Sequence, residues 1–267
     1  MPQIKVNGVD IFYTDQGNGE ETIVFSHGLL WSHKMFADQI EFLQPRFRVI
    51  AYDHRGQGQS EVTGPFDMDT LTEDAAELIK ELCVGPVHFV GLSMGGFIGM
   101  RLAARFPKLI KSLILLETSA NSEPVENLPK YKILNGIVKW LGVIPPVKVM
   151  KIMFAESWLD DPINSEKIDF WKSQLKSNKR SVTGAVEGVI YRKGIENELG
   201  DISCPTMVIV GDEDVATKPI KAKFIQMSIG SARLHRIPGA GHSSCIEKPK
   251  EVNRLIGDWL VERSCFL

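Results

Sequence analysis

The chain of 267 residues has only four cysteines, Cys83, Cys204, Cys245 and Cys265, and no C-x-x-C pair among them. That spacing excludes a disulfide-stapled secreted scaffold and a zinc ribbon, and it reads as isolated reduced thiols in a cytoplasmic protein. Charge of one sign is also missing. The 31 basic and 33 acidic residues leave a net charge of −2, so no basic excess points to nucleic acid. No long hydrophobic run occurs. The most apolar stretch, LNGIVKWLGVIPPVKVM (134–150), is broken by Lys139, Lys148 and Pro145-Pro146 and is too interrupted to span a bilayer. The start, MPQIKVNGVDIFY, has no basic segment followed by an apolar one, so no signal peptide is expected, and with Cys265 third from the end there is no prenylation box. Internal repeats, a P-loop, a metal-ligand cluster and an H-E-x-x-H motif are all lacking. Gly56-x-Gly58 after a strand imitates a dinucleotide fingerprint, but its third glycine position is Glu61. The expectation is therefore a protein with no cofactor and no metal, acting on a small molecule. It should have neither nucleic acid nor membrane as partner, and should be a monomer or small homo-oligomer.

What is present is a globular composition, with 43% hydrophobic and 24% charged residues, enough for a full core. Asn7-Gly8 between two alternating runs predicts a hairpin. Short aliphatic strands are predicted at TIVFSHG (22–28), FRVIAYD (47–53), PVHFVGLS, IKSLILLET (110–118), TMVIVGDED (206–214) and ARLHRIPG (232–239). Helical spacing appears in MFADQIEFL (35–43), in LTEDAAELIKEL (71–82) with Thr72 as its N-cap, in MGGFIGMRLAARF, from Pro219, and over 250–263. Buried strands alternating with helices predict an α/β fold, a mostly parallel sheet covered on both faces. The alternation stops at Thr118 and resumes near 201. The expected organisation is a core of residues 1–118 and 201–267, interrupted by an inserted helical cap, 119–200, over the carboxyl ends of the strands where open sheets bind ligands.

GLSMGG (91–96) stands between a strand and a helix. Gly-x-Ser-x-Gly in that context is a nucleophile elbow, a sharp strained turn that lifts a serine hydroxyl above the sheet. A serine hydroxyl is a weak nucleophile and needs a base, which in turn needs an orienting carboxylate. Of six histidines, His88 and His235 lie inside predicted strands, His33 sits beside a helix start, and His27 and His54 precede Ser93 in the chain. His242, in PGAGHSS after the last strand, comes late, and Asp212 and Asp214 follow an earlier strand end. The order Ser, Asp, His leaves both acids open.

SHGLL (26–30), DHRGQGQS (53–60), GLSMGG, GDED (211–214) and GAGHSS (239–244) occur in order, each at a strand end. Together they resemble the α/β-hydrolase superfamily over essentially the whole chain outside the cap. The resemblance implies Ser93 as nucleophile, His242 as general base and Asp214 as the acid, with Asp212 left to hydrogen-bond the turn. It also implies an oxyanion hole of two backbone N–H groups, from Met94 and from Leu29. Trp31 beside that loop, and Trp140 and Trp158 in the cap, are candidates for the substrate pocket. Arg192 and Lys193 could meet a substrate carboxylate, but read first as solvated surface. A serine rather than an aspartate or cysteine nucleophile implies an acyl-enzyme route, and the segments around Ser93 and Asp214 are most similar to the 3-oxoadipate enol-lactonase and carboxylesterase group. The implied activity is cleavage of a small ester or lactone. The alternatives are a C–C bond hydrolase or lyase using the same triad, or a ligand-binding protein on a hydrolase scaffold.

Overall fold

A computed structural model describes residues 2–62, 64–142 and 144–264. Cys265 lies outside the described residues. Asn7 and Gly8, at φ 47° and 79°, make the predicted turn between β1 (Gln3–Val6) and β2 (Val9–Gln16). There follow β3 (Thr22–Ser26), α1 (Ala37–Leu43), β4 (Arg48–Tyr52), α2 (Met68–Leu82), β5 (Val87–Leu92), α3 (Met94–Arg105) and β6 (Ile110–Leu116). Five helices come next: α4 (Leu128–Leu141), α5 (Pro146–Met153), α6 (Glu156–Leu159), α7 (Ser165–Lys176) and α8 (Val182–Ile190). The alternation then resumes with β7 (Thr206–Gly211), α9 (Pro219–Ser228), β8 (Ala232–Ile237), α10 (Ser244–Glu247) and α11 (Pro249–Val261).

The eight strands form one sheet in the order β1-β2-β4-β3-β5-β6-β7-β8. The hairpin is antiparallel to its neighbours, whereas β3 to β8 all run parallel, so their carboxyl ends share one edge. Successive residues along a strand face opposite ways. Ile23 and Phe25 therefore enter one apolar cluster with α1 and α11, and Val24 enters the other with α2, α3 and α9. This is the predicted α/β architecture.

The helices between β6 and β7 do not build a core of their own. Val138, Phe154, Trp158, Trp171 and Leu175 belong to the same apolar cluster as Phe25, Val90 and Ile209 of the sheet. The excursion also leaves and returns at one point, where the Ile195 N–H donates to the Ala120 carbonyl (2.8 Å). Arg192, expected at the surface, is only 7% exposed. It is held by Glu123 (2.9 Å) and the Asn121 carbonyl (3.1 Å), and lies 4.3 Å above the Phe97 ring.

One helix boundary differs from expectation. The α2 cap is Asp67, whose carboxylate accepts from the Thr70 N–H (2.8 Å). Thr72 lies inside the helix, its hydroxyl donating to the Met68 carbonyl (2.7 Å). Met68 is buried, and seating it extends the helix by most of a turn upstream. Among the described residues no helix is long and apolar enough to cross a membrane.

Candidate active site

The turn after β5 answers why three glycines surround Ser93. Ser93 has φ 51° and ψ −109°, a conformation that non-glycine residues rarely adopt. Its N–H donates to the Leu116 carbonyl (2.9 Å), and its carbonyl accepts from the Thr118 hydroxyl (2.8 Å), which locks the bend to β6. A Cβ on Gly91 would stand 2.3 Å from the Gly95 carbonyl oxygen, and one on Gly95 would stand 2.0 Å from that of Ser26. Glycine is needed because helix α3 enters against the backbone of β5 and β3 at once.

Two strands further along the sheet, Asp214 follows β7, and His242 follows β8. His242 Nδ1 lies 2.9 Å from Asp214 Oδ2 and 3.0 Å from Oδ1. Both residues are buried, at 3% exposure each. The Asp214 carboxylate also accepts from the Ala216 and Thr217 N–H groups (2.8 and 3.0 Å) and the Thr217 hydroxyl (2.8 Å). Burial alone would raise the Asp214 pKa, but the adjacent imidazole and the Thr217 donors outweigh it and hold the carboxyl below its ordinary range. An ionised acid facing Nδ1 fixes the proton there and leaves Nε2 as the basic atom. The hydrogen bonds at this end join Asp214, Thr217 and His242; one from the Ser93 hydroxyl to the imidazole is not among them. Such contacts commonly tighten only when substrate is bound. Asp212 is spent elsewhere, paired with Arg236 of β8 at 2.6 Å rather than bonded to the turn.

Two further acids flank this pair, and sequence reasoning missed both. Glu247 accepts from the N–H groups of Gly241 and Ser243, on either side of His242, and of Ala155, between α5 and α6. Burial pushes its carboxyl up to about 7 against the pull of those donors. Glu117, just past β6, is wholly buried at φ 39°, and neither carboxyl oxygen has a hydrogen-bond partner. Burial first, then the neighbouring Asp214 charge, hold it well above the ordinary carboxylate range. Their signal in the sequence was no more than an acidic residue beside a motif.

The loop after β3 is pinned from below. His27 Nε2 accepts from the His54 N–H (3.1 Å), so the proton sits on Nδ1 and is donated to the Gly28 carbonyl (2.7 Å). Burial drives the His27 pKa down to about 4 and that of His54 well below the ordinary value, so both rings are neutral struts. Gln57, from the glycine-rich segment after β4, accepts from the Leu30 N–H (2.9 Å) and reaches toward Met94 Sδ (3.8 Å). It thereby ties the Leu29–Leu30 loop to the start of α3, the two stretches expected to supply the oxyanion donors. Met94 opens α3, where backbone N–H groups have no partner within the helix.

The three tryptophans proposed for the pocket part company. Trp31 is buried with its ring edge-on to Trp171 (5.1 Å) and Phe154 (6.0 Å), and it borders a polar cleft of about 150 Å³ between segment 53–62 and α7. Trp158 stacks on Phe154 (4.8 Å) inside the apolar cluster, which is a packing role. Trp140 is 84% exposed, on the outer side of α4, because the inner side is taken by Asn135 and Val138.

Known proteins with this architecture include a thermophilic esterase from Thermogutta terrifontis, which superposes with a TM-score of 0.91 at 26% identity over 99% of this chain and 100% of its own. The enol-lactonase of Burkholderia xenovorans gives 0.90 at 26% identity, covering 97% and 100%. In sequence, the chain is 28% identical to the serine hydrolase BPHL of Mus musculus, over 97% of this chain and 85% of that protein. It is 27% identical to 3-oxoadipate enol-lactonase 2 of Acinetobacter baylyi, over 88% and 86%. The family model of the alpha/beta hydrolase fold matches residues 21–249, from β3 to the start of α11. The elbow, the parallel sheet and the acid–histidine pair at its carboxyl edge thus belong to a member of the α/β-hydrolase family.

Proposed function

We propose that the protein is a serine hydrolase that cleaves a small ester or lactone through an acyl-enzyme on Ser93. One conjunction carries this reading: a serine held at φ 51° and ψ −109° on the same sheet edge as a buried Asp214–His242 pair 2.9 Å apart. In the reaction, Ser93 Oγ bonds to the substrate carbonyl carbon while His242 Nε2 takes its proton. The tetrahedral oxyanion is met by the Leu29 and Met94 N–H groups. Collapse breaks the C–O bond, and His242 returns the proton to the leaving oxygen. Water then repeats the sequence with Oγ as leaving group and releases the acid. The serine hydrolase, enol-lactonases and esterase among its relatives support an ester bond over other scissile bonds. We read residues 119–200 as the cap that roofs this site. We read the cytoplasm as its compartment from the wide spacing of its four cysteines, with no C-x-x-C pair.

The test is hydrolysis of p-nitrophenyl acetate and butyrate with labelling by a serine-directed phosphonate. The wild type is expected to turn over and to carry the label on Ser93. Ser93→Ala and His242→Ala should each lose about 10⁴-fold or more in kcat, because triad members act as a unit. A His242→Ala enzyme that kept most of its activity would refute the assignment.

A further inference from the structure

Helix α4 turns apolar side chains outward as well as inward. Asn135 and Val138 are buried on its inner side, but Ile133, Ile137, Trp140 and Leu141 are all exposed, from 42% at Ile137 to 84% at Trp140. At i, i+4, i+7 and i+8 these four form one stripe along the helix. Val147, in the first turn of α5, is exposed as well. Single exposed apolar residues are ordinary, whereas a contiguous row with a tryptophan marks an interaction surface.

The stripe lies in a basic stretch. Residues 127–155 contain five lysines, Lys130, Lys132, Lys139, Lys148 and Lys151, and no acidic residue. All five are exposed. Lys139 lies 3.8 Å from Glu187 of α8, and Lys132 lies over the Tyr191 ring at 5.2 Å, and both ammonium groups stay at the surface. Lys132 and Lys139 are seven residues apart, so they follow one flank of the stripe. There a long side chain keeps its charge level with polar headgroups while its apolar neighbours go deeper.

We propose that the outer side of α4, with the start of α5, docks on an anionic lipid bilayer. Ile133, Ile137, Trp140 and Leu141 enter the boundary between headgroups and acyl chains, and the lysines meet the anionic headgroups. The charge disfavours a second copy, since a symmetric pair through this face sets lysine against lysine. A fluid headgroup layer also takes a raised row of side chains without a matching socket. With a net charge of −2 on the whole chain, the rest of the molecule is acidic, so such a bilayer turns this face towards itself. The lysines and prolines that keep 134–150 from spanning do not keep α4 from lying flat, so the expectation of no membrane partner narrows to no crossing.

The experiment is flotation of the full chain with vesicles of phosphatidylcholine alone, or with about 30% phosphatidylserine, at about 50 and about 500 mM salt. Wild type is expected to float only with the anionic vesicles and to be released by the high salt. Lys132→Gln with Lys139→Gln should weaken binding at least about tenfold, since each lysine near an anionic surface is worth about fivefold. Ile137→Ser with Trp140→Ser should weaken it as much, and Ile220→Ser, an exposed apolar site on α9, should not. All these sites are exposed, so melting temperatures near that of wild type check the fold. Wild type that ignores anionic vesicles overturns the proposal, whatever the variants do. If it also sediments as a dimer that the Ile137→Ser, Trp140→Ser pair dissociates, the face belongs to a second copy, and if it sediments as a monomer, to an acidic protein. Binding that the α4 variants leave unchanged overturns it too. Turnover is not read, so failure here is separate from failure of the acyl-enzyme reading.

Discussion

Ser93 holds its strained angles because hydrogen bonds on both sides of its peptide units over-determine the turn. Such a conformation costs about 1–3 kcal/mol in a non-glycine residue. Ser93→Gly should therefore abolish turnover yet raise the melting temperature by about 2–4 °C, for a net gain of about 1 kcal/mol after the added freedom of the unfolded chain. Ser93→Ala should abolish turnover without that gain, and thermal melts of both variants beside wild type decide the point. Glu117 stores a different kind of cost. Its folded pKa is raised, so its contribution to stability is fully present below the ordinary glutamate value of about 4.3 and is lost as pH rises toward the folded value. Glu117→Gln keeps the shape of the neutral acid and removes the titration. Its melting temperature relative to wild type should therefore climb between pH 5 and pH 8, by a few degrees, and an equal difference at both pH values would mean that the buried group is ionised. Ser93, Asp214 and His242 were legible because each sits in a glycine-marked turn whose geometry leaves a trace in neighbouring residues. Gln57 and Glu247 were not, because their roles come from contacts between turns far apart in the chain, Gln57 with Leu30 and Met94 and Glu247 with Ala155.

Helix α3 lies so close to β3 and β5 that its first turn has no room for side chains on the inner face. Gly95→Ala would drive a methyl to within 2.0 Å of the Ser26 carbonyl oxygen, a main-chain atom of β3 that cannot swing aside. The expected result is a loss of more than about 3 kcal/mol, seen as insolubility or a collapsed denaturant midpoint. Gly64→Ala, with nothing within 4 Å, should be nearly silent in the same measurement. The strands and helices themselves were readable, with ends off by up to three residues, since β3 to β7 are continuous aliphatic runs that only a doubly covered sheet can bury. The misplacements share a cause. Thr72 lost the cap to Asp67, and Arg192 went inside rather than out, because each was decided by a distant neighbour: the buried seat of Met68 and the carboxylate of Glu123.

Across the whole molecule, the helices of 119–200 and the sheet share one apolar cluster, with Trp31 against Trp171 and Phe154 at the seam. A shared cluster cannot melt in halves, so calorimetry should show a single transition whose calorimetric and van't Hoff enthalpies agree. Trp31→Ala is expected to lower that one transition, by about 3–5 kcal/mol, rather than to split it in two. The pause in β-α alternation announced the interruption from sequence, but the sharing of the cluster depends on which side of each helix turns inward, and short apolar helices leave that undecided. The excursion nonetheless departs and returns at one place, where Ala120, Asn121 and Glu123 bond to Ile195, Glu196 and Arg192. A detour with one gate is a cassette. Its length and composition can be rewritten between two adjacent splice points without shifting the register of any strand, so long as whatever replaces it fills the same share of the common apolar cluster.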